Sequence, residues 1–265
     1  MEGQPVTGAP FLASPLFRLQ RWGLVTTLAR SVNAGLPALA ACLENVRARI
    51  VRAAERSGRL ASAVTLVGVT KQVPAERVRE AVALGLLDLG ENRIQEAEAK
   101  IATLGRAAAR WHMIGHLQRN KAGRAVELFD RVHGVDGMAV AEALSRRARE
   151  AGRHMAVLVE VNVSGEASKF GVAPSRLMPL LEGVAALPLL ALDGLMTVGA
   201  PVERAEDARA GFAALRELRD RAERQLSLRL PELSMGMSGD FEVAVEEGAT
   251  LVRVGTALFG PRGGT

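Results

Sequence analysis

The chain has 265 residues, 48% hydrophobic and 24% charged, a length and balance that suit one large globular domain and exclude disorder as the main state. Its formal charge is +5, yet 34 basic residues are interleaved with 29 acidic ones, as in Glu76-Arg77 and Arg216 through Arg224, and aromatics are only 3%; this describes a salt-bridged helical surface and excludes a phosphate-tracking stripe or base-stacking platform, so nucleic acid is not an expected partner. No run of about 18 uncharged apolar residues occurs, so no membrane span is expected, and the single cysteine, Cys42, excludes an intrachain disulfide and suits a reducing, cytoplasmic location.

Residues 1–32 read as a flexible N-terminal extension. Met1 to Pro15 is punctuated by Pro and Gly, and Phe17 to Val32 carries Arg18, Arg21 and Arg30 with no acid. The arginine and alanine bias of the whole chain makes any likeness to a transit peptide weak. From residue 33 onward one domain is expected. A helix is predicted from about Gly35 to Ser57, followed by a regular alternation of apolar runs and amphipathic stretches. The strands are expected at Val64–Thr70, Leu86–Leu89, Trp111–Ile114, Arg131–Val135, Ala156–Val163, Leu190–Met196, Glu232–Met235 and Leu251–Val254.

Between them, Pro74 suits the first turn of a helix over Ala75–Leu84, and Met138–Ala151 sets Val140, Ala143, Leu144 and Ala148 on one face. Pro174 opens a helix over Ser175–Ala186, and Glu203–Leu226 is expected to be the longest. Eight parallel strands with intervening helices and one leading helix describe a TIM-type (β/α)8 barrel in a single domain. An open doubly wound sheet fits less well, because no Gly-x-Gly-x-x-Gly loop follows the first strand.

Such barrels carry their sites at the C-terminal ends of the strands. Lys71 stands there, directly after the first strand, and only four of the basic residues are lysines: Lys71, Lys100, Lys121 and Lys169. Unlike arginine, a desolvated lysine can lose its proton and condense with an aldehyde. Glu91 and Asn92 follow the second strand, His116, Gln118, Asn120 and Lys121 the third, Asp136 the fourth, and Asn162 to Lys169 the fifth. Met196 and Thr197 end the sixth. After the last two strands come Ser234-Met-Gly-Met-Ser-Gly-Asp240 and Arg253-Val-Gly-Thr256. Their glycines permit close backbone approach, while Ser234, Ser238 and Thr256 offer hydroxyls to a phosphate. Each feature alone also reads as tight turns, or as a serine capping a short helix near Asp240. A lysine facing a phosphate cradle across one mouth points to an aldehyde bearing a phosphate.

The blocks Val69-Thr-Lys71, Gly90-Glu-Asn-Arg-Ile-Gln-Glu96, Trp111-His-Met-Ile-Gly-His-Leu-Gln-Arg-Asn-Lys121, Asn162-Val-Ser-Gly-Glu-Ala-Ser-Lys-Phe-Gly171, Gly194-Leu-Met-Thr197, Leu233-Ser-Met-Gly-Met-Ser-Gly-Asp240 and Val252-Arg-Val-Gly-Thr256 resemble the pyridoxal phosphate homeostasis protein family, in the same order and spacing from about Leu36 to Gly260. Members resemble the barrel domain of alanine racemase. The resemblance implies that Lys71 forms a Schiff base with pyridoxal 5′-phosphate, the cofactor, and that Ser238, Gly255 and Thr256 hold its phosphate, helped by Ser234 and the backbone of Met237. It places Arg253 at the pyridine nitrogen, with Asn92 and Met196 along the ring. An arginine there disfavours ring protonation and weakens the cofactor as an electron sink. Two positions depart from the family pattern: Val73, where many relatives have a second lysine linked to cofactor traffic, and Arg93, where many have tyrosine.

The function implied is cofactor homeostasis: storage, buffering or delivery of pyridoxal phosphate to apoenzymes without significant turnover, by a monomer. An amino-acid racemase is the alternative. Two-base racemisation in alanine racemase draws its second base from a tyrosine of the partner subunit, and this chain contains no tyrosine; an end at Thr265 is also early for the additional β domain of such racemases. A cofactor-free Schiff-base aldolase would leave the Arg253 block without a task. His112 and His116, at i and i+4, lack a third histidine or carboxylate pair nearby and make a poor metal site, and His116 is expected to hydrogen-bond near the mouth. Lys169 is read as either solvated or an acid-binding group, Lys121 as a carbonyl cap, and Met235 and Met237 as packing residues.

Overall fold

The structure is a computed structural model and describes residues 36–166, 168–199 and 202–261; the expected extension 1–32 lies outside them. Eight parallel strands, β1 (Thr65–Val69), β2 (Asp88–Glu91), β3 (Arg110–Met113), β4 (Arg131–Val135), β5 (Met155–Glu160), β6 (Leu190–Met196), β7 (Glu232–Ser234) and β8 (Leu251–Val254), close in sequence order into one barrel. Closure comes from β1 pairing back to β8 through Thr65–Leu251 to Gly68–Val254. The helices are α1 (Leu36–Arg56), α2 (Ala75–Ala83), α3 (Ile94–Leu104), α4 (Ala122–Leu128), α5 (Met138–Glu150), α6 (Leu177–Ala185), α7 (Arg209–Leu226) and the short α8 (Phe241–Glu246) and α9 (Thr256–Phe259).

The second strand begins at Asp88, two residues later than the apolar run Leu86–Leu89 predicts, and it ends at Glu91. An apolar run marks burial rather than pairing: Leu86 is buried in the approach to the strand, while Gly90 and Glu91 extend the ladder to His112 and Met113. The expected helix 203–226 also starts late. A 3-10 turn at Ala205–Ala208 precedes α7, whose 18 residues fall short of the 21 of α1.

Alternation along the strands sorts side chains into two layers. Trp111, Val132, Val157, Leu233, Val252 and Val254 face outward into the core shared with the helices. Inward lies a small apolar cluster, Val67, Leu158, Met196 and Leu251, beside buried polar groups that include His112, His133, Glu160, Ser234 and Arg253. The N-terminal end of the barrel is closed by ion pairs: Arg110 with Asp88, and Arg131 with Asp193 and Glu232. Arginine–acid pairs also tie the outer helices together. Arg209 meets Glu206, Glu246 and Glu247, while Arg49 and Arg56 of α1 reach Glu242 and Glu246 of α8. The interleaved charges are thus a paired surface.

Candidate functional site

The C-terminal ends of β1, β2, β3 and β8 and the turn after β7 surround a cavity of about 360 Å³. It is lined by Val69, Lys71, Asn92, Ile114, Val198, Met237, Ser238, Gly239, Arg253, Gly255 and Thr256. Seven of the nine residues expected at the site line it. Met196 and Ser234 do not: both are fully buried beneath it, Met196 in the apolar cluster of the barrel axis and Ser234 bonded to Arg253.

Lys71 is presented by a turn held on both sides. Before it, the carbonyl of buried Thr70 accepts from Lys100 Nζ, and Thr70 Oγ1 donates to Glu91 Oε1 at 2.6 Å. After it, Gln72 takes a left-handed backbone, φ 62°, and its N–H donates to Glu96 Oε2 at 2.8 Å. A non-glycine residue holds that conformation only when its surroundings enforce it. Beneath the turn, Lys100 Nζ donates to Glu91 Oε1 at 2.6 Å, both side chains being buried. Desolvation pushes the Glu91 carboxyl above its ordinary pKa, against the opposing hydrogen bonds of Lys100 and Thr70. Val73 packs against the core rather than into the cavity, and Arg93 is exposed and lines a neighbouring cavity together with Asn92.

Opposite Lys71, the N–H groups of Gly255 and Ala257 both donate to Ser238 Oγ, at 3.1 and 3.3 Å. Two backbone donors at a helix start thus converge on one oxygen, the geometry a phosphate oxygen requires. The Met237 N–H points elsewhere, to Asp240 Oδ1 at 2.6 Å. The turn needs Gly236: its φ is 90°, and a Cβ there would lie 2.5 Å from Ala244 Cβ. Gly115 plays the matching part beside Asn92, since a Cβ on it would meet the Asn92 carbonyl at 2.5 Å.

Arg253 is buried at the cavity floor. Its Nη1 donates to Ser234 Oγ at 2.6 Å and its Nη2 to the Thr197 carbonyl at 2.8 Å. Burial lowers its pKa to about 10, opposed by Glu160 and Asp240; the guanidinium stays charged at neutral pH. Glu160, ending β5, is buried with Oε2 lacking a hydrogen-bond partner, and desolvation raises its carboxyl to about 7 despite nearby Arg253. Around the rim His116 contacts Asp136 at 3.2 Å and stacks on Phe170 at 4.0 Å between ring centroids. Lys169 pairs with Glu166 at 3.1 Å. Lys121 lines a neighbouring cavity with Asn92 and Arg93, and Met235 is core.

A cation in a buried floor, two converging N–H groups, and an amine across the same opening fit pyridoxal phosphate: Lys71 would meet its aldehyde, Ser238, Gly255 and Thr256 its phosphate, and Arg253 its ring nitrogen. The sequence profile of the alanine racemase N-terminal domain family matches residues 42–263. A pyridoxal phosphate homeostasis protein of Pseudomonas aeruginosa is 47% identical over 83% of this chain and 94% of its own, and one of Aquifex aeolicus 45% identical over 83% and 96%.

The chain belongs to the pyridoxal phosphate homeostasis protein family. Among solved structures, this family member resembles PipY of Synechococcus elongatus with pyridoxal phosphate bound, at TM-score 0.74 and 40% identity over 84% of this chain and all of that one. Alanine racemase from Corynebacterium glutamicum shares the fold, with TM-score 0.66 and 17% identity over 87% of this chain and 62% of that one. Three features of this homeostasis-family site escape a reading by motif: the pairing of Glu91 with Lys100, His133 and Glu160. For Glu160 and His133 a signal exists, a lone polar residue inside an apolar strand at an inward-facing position of the alternation.

Proposed function

We propose that this protein binds pyridoxal 5′-phosphate at Lys71 and serves cofactor homeostasis, by storage, buffering or delivery, without significant turnover. The observation that carries this reading is the single cavity shared by Lys71, Ser238, Gly255, Thr256 and Arg253. When bound, the cofactor supplies an aldehyde that condenses reversibly with amines. Lys71 supplies the amine, held by the turn that Thr70 and Gln72 fix. The N–H groups of Gly255 and Ala257 and the hydroxyls of Ser238 and Thr256 grip the phosphate. Arg253 keeps a positive charge against the ring nitrogen and so disfavours its protonation, which opposes carbanion chemistry.

The lack of tyrosine argues in the same direction, since neither one copy nor two supply the second base of an alanine racemase. Recipients would be apoenzymes whose lysine displaces Lys71, and the protein would act as a monomer in the cytoplasm; among the described residues no helix is long and apolar enough to cross a membrane. The test is the near-ultraviolet and visible spectrum of the purified protein, then borohydride reduction and peptide mapping. A pyridoxyl group on Lys71 without interconversion of alanine or serine enantiomers is the expected result. A protein that takes up no added cofactor, or racemises far faster than free cofactor, overturns the proposal.

A further inference from the structure

The barrel axis carries polar groups that the cofactor site itself does not use. Starting from Arg253, Nη1 meets Ser234 Oγ at 2.6 Å, Ser234 Oγ meets His133 Nδ1 at 2.9 Å, His133 Nε2 meets His112 Nδ1 at 3.0 Å, and His112 Nε2 meets Asp88 Oδ1 at 3.1 Å. Asp88 in turn accepts two hydrogen bonds from Arg110, which reaches solvent at the N-terminal end of the barrel. Strands β8, β7, β4, β3 and β2 each contribute one member. The chain runs from the floor of the cavity to the opposite end of the molecule, and its inner members Ser234, His133, His112 and Asp88 are all buried.

Donor and acceptor counting fixes its direction. An arginine only donates and a carboxylate only accepts, so Arg253 must donate to Ser234 and His112 Nε2–H to Asp88. With neutral rings only one arrangement then gives every donor an acceptor: Ser234 O–H to His133 Nδ1, and His133 Nε2–H to His112 Nδ1. We propose that Asp88, His112, His133 and Ser234 are positioning residues for Arg253, a one-way hydrogen-bond chain that sets how the arginine meets the ring of the cofactor. This rests on the reading that Arg253 faces that ring.

The chain has a second state that holds one proton more. If one proton is transferred from hydronium to Ser234 Oγ, leaving water, the original hydroxyl proton passes to His133 Nδ1 and the His133 Nε2 proton to His112 Nδ1. An imidazolium is left at His112 against Asp88. Both bonds between these side chains reverse, and Ser234 Oγ faces two donors, Arg253 and His133, while its own proton loses its acceptor. The groups bearing on this equilibrium are Arg131 on the strand of His133, Arg253 from β8, and Asp88 and Arg110 from β2 and β3, with Glu160 and Asp240 acting on Arg253. Desolvation, then His112, Arg131 and Arg253, hold His133 well below the ordinary histidine pKa, so its ring is neutral at neutral pH, as the donor count requires.

The decisive measurement is long-range ¹H–¹⁵N NMR of the full chain labelled at histidine, free of cofactor, at pH 7. Both rings should carry their proton on Nε2 alone; a ring protonated on Nδ1, or on both nitrogens, overturns the chain whatever the cofactor does. In protein loaded with pyridoxal phosphate, Asp88→Asn and Ser234→Ala break the chain at its far and near ends. Each should move the pH midpoint of the bound cofactor's visible absorbance by about half a unit or more, which corresponds to about 0.7 kcal/mol of coupling. Midpoints unmoved in folded variants refute the positioning role, and Ser234→Ala decides alone if Asp88→Asn does not fold. Failure of the parent protein to take up pyridoxal phosphate refutes that role and the cofactor reading together, while the ring-proton result still reports on the chain by itself.

Discussion

Replacing Lys100 by methionine removes the buried cation under the Lys71 turn and keeps most of its volume. Lys100 Nζ donates to Glu91 Oε1 at 2.6 Å and to the Thr70 carbonyl, and Glu91 is completely buried, with Oε2 lacking a partner. Removing one member of a buried pair costs about 3–5 kcal/mol, because the other charge is left uncompensated. That is a large share of a stability of about 5–15 kcal/mol, yet leaves most such domains folded. The loss depends on pH with a definite sign. Burial raises the folded pKa of Glu91, and without Lys100 it rises further, so the folded state binds a proton that the unfolded state releases. Stability of Lys100→Met therefore falls as pH rises from the unfolded carboxylate value through the folded one, and the loss relative to the parent is greatest at alkaline pH. Urea unfolding followed by far-ultraviolet circular dichroism at pH 5.5 and 8 measures it. A loss below about 1 kcal/mol, the size of one ordinary hydrogen bond, or a loss equal at the two pH values, refutes the reasoning. Adding Glu91→Gln to the variant should recover much of the loss at pH 8. Borohydride labelling of Lys71 by pyridoxal phosphate should fall with Lys100→Met, since the Thr70 carbonyl is released.

Lys71→Ala should abolish borohydride-fixed pyridoxyl label and the visible band while the thermal midpoint stays near that of the parent. An unchanged visible band and label in Lys71→Ala would exclude Lys71 as the linking amine. Ser238→Ala removes the hydroxyl that gathers the Gly255 and Ala257 N–H groups, and should weaken pyridoxal phosphate binding about 10- to 100-fold, the worth of a hydrogen bond to a charged group; pyridoxal, which lacks the phosphate, should be affected far less in the same equilibrium dialysis. Glu160 has a folded pKa of about 7 against 4.5 for the free carboxyl, a difference of 2.5 units or about 3 kcal/mol of lost stability that grows as pH rises from 4.5 to above 7. Glu160→Gln should abolish that part of the pH dependence and be the more stable protein at pH 8, as judged by urea unfolding. Equal slopes for the two proteins would show that Glu160 is ionised at no such cost.

The sequence by itself determined the parallel sheet covered by helices, and pairing of β1 with β8 decided the closed barrel over an open sheet. The alternation of apolar runs and amphipathic helices requires helices on the outside of a parallel sheet, and all eight expected strand regions carry one of the eight strands. It also placed the cavity residues, because residues that directly follow a strand stand near its C-terminal mouth: Lys71, Asn92, Ser238, Gly255 and Thr256 were put there by position, together with Glu91, His116 and Asp136, which do not line the cavity, and the family resemblance separated the two sets. Helix and strand edges were less legible: Leu86 and Leu87 look like strand because they are apolar, and only backbone pairing reveals that the ladder starts at Asp88.

What lies inside the barrel was decided by tertiary structure alone. His112 appears in the chain as a neighbour of His116, yet the alternation of β3 sends it inward to His133, 21 residues away, while His116 stands at the rim with Asp136. Ser234 and Met196 sit at strand ends like the cavity residues, but the pleat turns them down into the axis, Ser234 onto Arg253 and Met196 into the apolar cluster. Lys100 gives no local sign of burial, since its partners Thr70 and Glu91 come from two different strand ends. Period and spacing fix which face of an element a residue occupies, whereas which inward-facing groups meet is fixed by strand order and register, and a contact across the barrel such as His133 with Ser234, from β4 to β7, exists only because the sheet closes.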